Sequence, residues 1–163
     1  MLKLYKEING QLQYWETWET WGREEESAII HYGVVGQRGV DYEIKSDDSK
    51  NFKVKVQFEI EQKKAEGFKE IDDKQMVKFD IQIPLDTFFA DDEALKKRRK
   101  LHKRLDQLLG WAGLGHADSE GSGMGMMEVE CVVVDFEIAK RVVEQDLKET
   151  EFDGNYKLVK LGI

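Results

Sequence analysis

Apolar and polar residues alternate in short runs through the first part of the chain, in "LKLYKEI", "LQYWETW", "AIIHYGVV" and "VDYEIKS". Each run has the period-two pattern of a strand buried on one face. Turn-forming residues separate them at Asn9-Gly10, Gly22, Gly36 to Gly39 and Asp47-Asp48. Asn9-Gly10 predicts a two-residue hairpin, because a type I′ turn requires positive φ at both central positions. In "NFKVKVQFEIEQKKAEGF", Phe52, Val54, Val56, Phe58 and Ile60 also alternate, which predicts a further strand, while the tail "EIEQKKAEG" is good helix material. Pattern alone leaves this segment open.

A different rhythm follows. "MVKFDIQIPL" alternates through Val77, Phe79, Ile81 and Ile83 until Pro84 ends the strand, and Asp91 or Asp92 then caps a helix. The apolar stripe of that helix is Ala94, Leu101, Leu105, Leu108 and Ala112, and Gly110 and Gly113 mark its end. After the glycine-rich "GLGHADSEGSGMGM" come the strand "MEVECVVVDF", a helix carrying Ala139, Val142, Val143 and Leu147 on one face, and the strand "NYKLVKL". With "GLGHAD" as a short second strand, this order is that of a split βαβ, ferredoxin-like sandwich. The expected class is therefore α+β, with a small antiparallel β-rich module over residues 1–74 and a ferredoxin-like module over 75–163. The charged "EIDDKQ" from Glu70 to Gln75 forms the junction.

The chain has 163 residues, 40% hydrophobic and 36% charged, which provides apolar material for two small cores. No apolar run has the roughly 18 residues of a membrane span, and the N-terminus lacks a secretory signal pattern. A soluble, cytoplasmic protein without a membrane partner is expected. The net charge of −8 opposes general attraction to phosphate backbones. Residues 1–74 carry 12 basic and 16 acidic side chains and the remainder 13 and 17, so neither half is a basic arm. The lone Cys131 sits in an apolar run and reads as a small core residue, and no second thiol completes a zinc or redox pair.

The tripeptide Trp21-Gly22-Arg23 falls between two strands, out of phase with three regularly spaced glycines further on, Gly33, Gly36 and Gly39 in "YGVVGQRGV". Those glycines, the preceding Tyr14-Trp15-Glu16, and "FEIEQKKAEGFKE" with its Gly67-Phe68 resemble the WGR domain family over about residues 1–72. The resemblance implies a β-rich module closed by a helix, and it favours helix for Glu59 to Ala65. It also implies candidate binding residues at Tyr32, Gly33, Gly36, Arg38 and Gly39. Tyr32 stands where the family has tryptophan and Val34 where it has arginine, which removes the planar donor fork suited to phosphate or base edges. The expectation thus moves from DNA toward protein. Independently of the family, the glycines permit a tight connection with Gln37-Arg38 at its tip, and an anion site on the glycine amides and Arg38 is the sharper alternative.

Trp15, Trp18 and Trp21 recur at intervals of three; on a strand Trp15 and Trp21 share a face and Trp18 takes the other, so the tryptophans read as core, with Trp15 and Trp18 as binding candidates and an outward Trp18 or Trp21 as a partner anchor. Lys96, Lys97, Arg98, Arg99, Lys100, Lys103 and Arg104 crowd one helix, a candidate site for phosphate or an acidic partner, although helical geometry spreads them around the circumference. His116, Asp118 and Glu120 would share one side of a regular strand and are weak metal candidates in what reads as a polar hairpin loop. No serine elbow, P-loop or activated thiol is present, so neither catalysis nor a cofactor is expected. The function expected from sequence is non-catalytic binding, of a protein in preference to DNA. The alternatives are WGR-type nucleic-acid binding, an acidic immunity or inhibitor protein for a basic toxin or nuclease, and a metal-dependent activity at the His116 loop.

Overall fold

Asn9 and Gly10 have φ of 52° and 76° and join Ile8 to its cross-strand partner Gln11, so the first hairpin closes through a two-residue turn. This hairpin opens a computed structural model of the chain, which describes residues 1–21 and 25–162. Of Trp21-Gly22-Arg23, Gly22 and Arg23 lie outside the described residues; Trp21 is exposed. The chain divides into two compact units, Met1–Ile71 and Asp72–Ile163. Both are mixtures of helix and antiparallel sheet.

In the first unit, β1 (Leu2–Ile8), β2 (Gln11–Glu19), β3 (Ser27–Val34) and β4 (Val40–Lys45) form an antiparallel sheet in chain order, followed by α1 (Phe52–Ala65). Alternation places Leu4, Trp15, Ala28, Ile30 and Ile44 on one face, where they form a core with Phe52 and Phe68. The strand suggested by the period-two run at Phe52 is instead helix from its first residue. Asn51 caps it by accepting the Lys53 N–H at 2.8 Å, and Phe52, Val56 and Ile60 meet the core at four-residue intervals. Val54 and Phe58, the other members of that run, are exposed. The helix ends in a Schellman motif: Gly67 has φ of 96°, its N–H donates to Lys64 and that of Phe68 to Lys63. This turn returns Phe68 to the core, and Lys69 exchanges two backbone hydrogen bonds with Tyr5 on the outer edge of β1.

The second unit contains β5 (Val77–Pro84), α2 (Asp92–Trp111), β6 (Gly115–Gly123), β7 (Met126–Val133), α3 (Phe136–Leu147) and β8 (Lys157–Lys160). Its antiparallel sheet has the order β6-β7-β5-β8. Phe79, Ile81 and Ile83 stand opposite Cys131, Val129 and Met127, and these six are buried together with Leu101, Leu105 and Leu109 of α2 and Ala139, Val143 and Leu147 of α3. Asp91 caps α2 through the Ala94 N–H and Asp135 caps α3 through the Ile138 N–H. Gly113, with φ of 65°, ends α2 in a second Schellman motif, its N–H bonded to Gly110 and that of Leu114 to Leu109. Two details correct the sequence reading. Leu109, rather than Leu108, occupies the buried stripe. The "GHADSEGSG" segment, read as a short strand and a loop, is one nine-residue strand. It is an edge strand with few apolar residues, so pairing with β7 defines it where alternation does not.

Candidate functional site

The glycine-spaced segment spans the end of β3, a tight connection and the start of β4. Gly36 has φ of 90°, and the Gln37 N–H donates to the Val34 carbonyl at 3.0 Å. Gly33 and Gly39 lack positive φ and are needed for space. A Cβ on Gly33 would lie 2.9 Å from the Gly39 Cα, and one on Gly39 would lie 2.2 Å from both the Tyr14 hydroxyl and the Tyr32 carbonyl oxygen. The connection therefore crosses directly over the Tyr14 side chain. Gln37 and Arg38 are exposed on it.

Beneath it runs a polar network that sequence reasoning missed. The Tyr14 hydroxyl lies 3.0 Å from His31 Nε2, His31 Nδ1 lies 2.6 Å from Glu16 Oε1, and Glu16 Oε2 lies 2.9 Å from Lys3 Nζ. With Nδ1–H donating to the carboxylate, Nε2 accepts from the phenol, whose hydroxyl also lies 3.4 Å from the Gln37 carbonyl oxygen. Tyr14, Glu16 and His31 are 1%, 4% and 1% exposed. What the network does in this geometry is hold β1, β2, β3 and the glycine connection together. The signal for it was cross-strand register, which makes Glu16 the partner of His31.

Burial pushes the Tyr14 phenol up to about 12, with the Glu16 carboxylate adding to the effect, and Tyr5 rises for the same two reasons. A raised folded-state pKa favours the neutral phenol, so the associated stability is complete below about pH 10 and is lost as pH climbs toward 12. Urea melts across that window should show falling midpoints, and absorbance at the tyrosinate band should lag that of the unfolded chain. Coincident titration of folded and unfolded protein would contradict the enclosure of these phenols. The Cys131 thiol is likewise pushed up to about 12 by burial, which keeps it protonated and inert.

On the other face of the sheet Tyr32 and Tyr42 remain 42% and 41% exposed, their rings in edge contact at 6.3 Å. Val40, the cross-strand partner of Tyr32, is exposed beside them, and the Tyr42 hydroxyl donates to Glu59 of α1 at 2.5 Å. Of the expected tryptophan contacts, Trp15 is core, and Trp18 is half-buried in T-shaped contact with the His31 ring. The buried Trp15 offers no surface to a partner.

The basic helix is largely self-neutralised. Arg98 bonds Glu120 and Ser122, Lys100 bonds Glu151, Arg104 forks onto Asp146, and Lys97 approaches Glu93. Among the described residues Lys96, Arg99 and Lys103 have no acidic partner, and their three-and-four spacing puts them on one outward stripe. His116 Nε2 and Asp118 Oδ1 approach to 3.9 Å, but Glu120 does not join them. A bulge between Ala117 and Ser119 shifts the register, so His116 pairs with Val132 and Glu120 with the core-facing Val129, on opposite faces. Among the described residues no group of three His, Cys, Asp or Glu side chains is placed to hold a metal ion, and no helix is long and apolar enough to cross a membrane. Comparison of the chain with protein-family models, with curated proteins and with solved structures gave no match.

Proposed function

We propose that the chain is a non-catalytic interaction protein, a WGR-like first unit followed by a ferredoxin-like second, and that it binds protein in preference to DNA. For the second unit the support is its strand–helix–strand repeat and the order β6-β7-β5-β8. For the first it is the glycine connection and the Gly67-Phe68 turn closing α1. The functional reading is carried by the pair Tyr32 and Tyr42, exposed on rigid strands beside Val40, while Tyr14, Glu16 and His31 on the opposite face are occupied with one another. Aromatic side chains fixed in this way supply contact area at little entropic cost. The nearby Glu59 carboxylate and Val34 in the arginine position both disfavour phosphate.

Capture from cell extract with the tagged full chain should recover a protein partner that is lost, through about tenfold weaker binding, when Tyr32 and Tyr42 are both changed to serine. Undiminished recovery with that variant would remove this surface from the proposal. The outward stripe Lys96, Arg99 and Lys103 supports a second reading, nucleic-acid binding. Filter binding to duplex ends and single strands, with a steep salt slope abolished by alanine at all three positions, would establish it in place of the first.

A further inference from the structure

Beyond Pro84 the chain runs through Leu85 to Ala90 before Asp91 caps α2, facing the Met124-Gly125 turn between β6 and β7. Two backbone bonds tie these segments, Leu85 N–H to Gly125 O at 2.7 Å and Gly125 N–H to Phe88 O at 2.9 Å, and the Thr87 hydroxyl donates to Phe89 O at 2.6 Å. The loop is thus held in place, yet it presents Phe88 at 60%, Phe89 at 74% and Met124 at 83% exposure. The two phenyl rings pack edge to face at 4.9 Å. Single exposed apolar residues are ordinary, but three on adjoining tethered turns form a contact surface.

Beside them is a cavity of about 320 Å³. Its apolar lining comes from Ile83, Pro84, Leu85, Met127 and Phe152, and its carboxylates from Asp86, Asp91, Glu93 and Glu151. Lys97 and Lys100 answer Glu93 and Glu151. Among the described residues no cation answers Asp86, Asp91 or the adjacent Asp92. Apolar walls with a surplus of carboxylates suit the aliphatic stem and cationic head of a lysine or arginine.

We propose that this end of the second unit docks a basic segment of a partner protein, with an apolar side chain against Phe88, Phe89 and Met124 and a cationic one in the adjoining cavity. The inference rests on the interaction reading above and adds a second surface and the partner's charge. A second copy of the chain in an isologous contact would set Asp86, Asp91 and Asp92 against themselves, and anionic lipid or nucleic acid would meet the same carboxylates.

The test uses the ¹⁵N-labelled full chain titrated with a short synthetic peptide alternating Arg or Lys with Leu and Trp, and with a matched peptide carrying Glu in place of the cations. The basic peptide should shift amides within 84–93 and 124–127, bind more weakly as salt rises, and lose about tenfold in affinity with Phe88→Ser plus Phe89→Ser, or with Asp86→Asn plus Asp92→Asn. These side chains are exposed, so the variants should stay folded, the serine pair melting at the parental temperature and the asparagine pair a few degrees below it, since Asp92 lies in the first turn of α2. Equal binding of both peptides, shifts at Tyr32 and Tyr42 instead, or unchanged affinity in either variant would overturn the proposal. So would co-sedimentation with phosphatidylserine or phosphatidylcholine vesicles, or a dimer, either of them abolished by the two serines. Failure here with the tyrosine-dependent capture intact leaves the broader interaction reading standing; loss of that capture with the peptide result intact removes the first surface and keeps this one.

Discussion

Gly39→Ala should be among the most damaging single substitutions in the first unit, costing about 3 kcal/mol or more where overpacking usually costs 1–3. Glycine is not required there for its backbone freedom, since φ is not positive. The added methyl carbon would sit 2.2 Å from the Tyr32 carbonyl oxygen, a backbone atom held in the β3–β4 pairing, and 2.2 Å from the Tyr14 hydroxyl. Neither can retreat cheaply, because the hydroxyl is anchored to His31 and the carbonyl is part of a strand. Gly10→Ala provides the control. Gly10 has φ of 76° and nothing within 4 Å of the point a methyl carbon would occupy, so only the left-handed backbone penalty of about 1–2 kcal/mol applies. Urea denaturation of both variants checks the order. Equal losses at the two positions would show that the connection does not cross Tyr14 as closely as the geometry states.

That prediction could not be made from the three-residue spacing alone, and the reason shows where sequence stopped being informative. Local chemistry was legible: Asn9-Gly10 specified a hairpin and Asp91 or Asp92 a helix cap, of which the fold uses Asp91, because each depends on neighbours within a few residues. The segment from Phe52 was ambiguous because Phe52, Val56 and Ile60 satisfy a period of two and a spacing of four at once. Helix won through the Asn51 cap and the need to cover a sheet face already containing Trp15 and Ile30. At β6 the signal was absent, since an edge strand with a bulge at Asp118 need not alternate, and the bulge separated His116 from Glu120. The basic run on α2 was visible, but its neutralisation depends on Glu120, Asp146 and Glu151, which lie 22 to 51 residues away in sequence. Phe88-Phe89 has no periodicity to notice, and only its tether to the Met124 turn makes it a surface.

Glu16→Ala is expected to rival Gly39→Ala, for an electrostatic reason in place of a steric one. Its carboxylate is the shared partner of Lys3 and His31. Removing it strands a buried imidazole N–H and a mostly enclosed ammonium, for which the cost is about 3–5 kcal/mol. Lys3 is 15% exposed and can turn partly toward solvent, which places the expectation at the lower end, about 3 kcal/mol. Glu16→Gln keeps an oxygen acceptor and the side-chain volume and should lose roughly half as much. Lys3→Met removes the cation while leaving its aliphatic bulk, and it leaves the buried Glu16 carboxylate to the His31 N–H alone, so it should cost about 2 kcal/mol. Glu16→Ala falling below both Glu16→Gln and Lys3→Met in urea midpoints is the primary check. A second readout separates the charge from its packing: Glu16 raises both Tyr5 and Tyr14, so in Glu16→Ala the two phenols should ionise at lower pH than in the parent. If Glu16→Ala cost less than about 1 kcal/mol, the level of an exposed pair, and left the tyrosine titration unmoved, the network would be incidental to the fold, and Tyr14 would owe its place to the glycine connection alone.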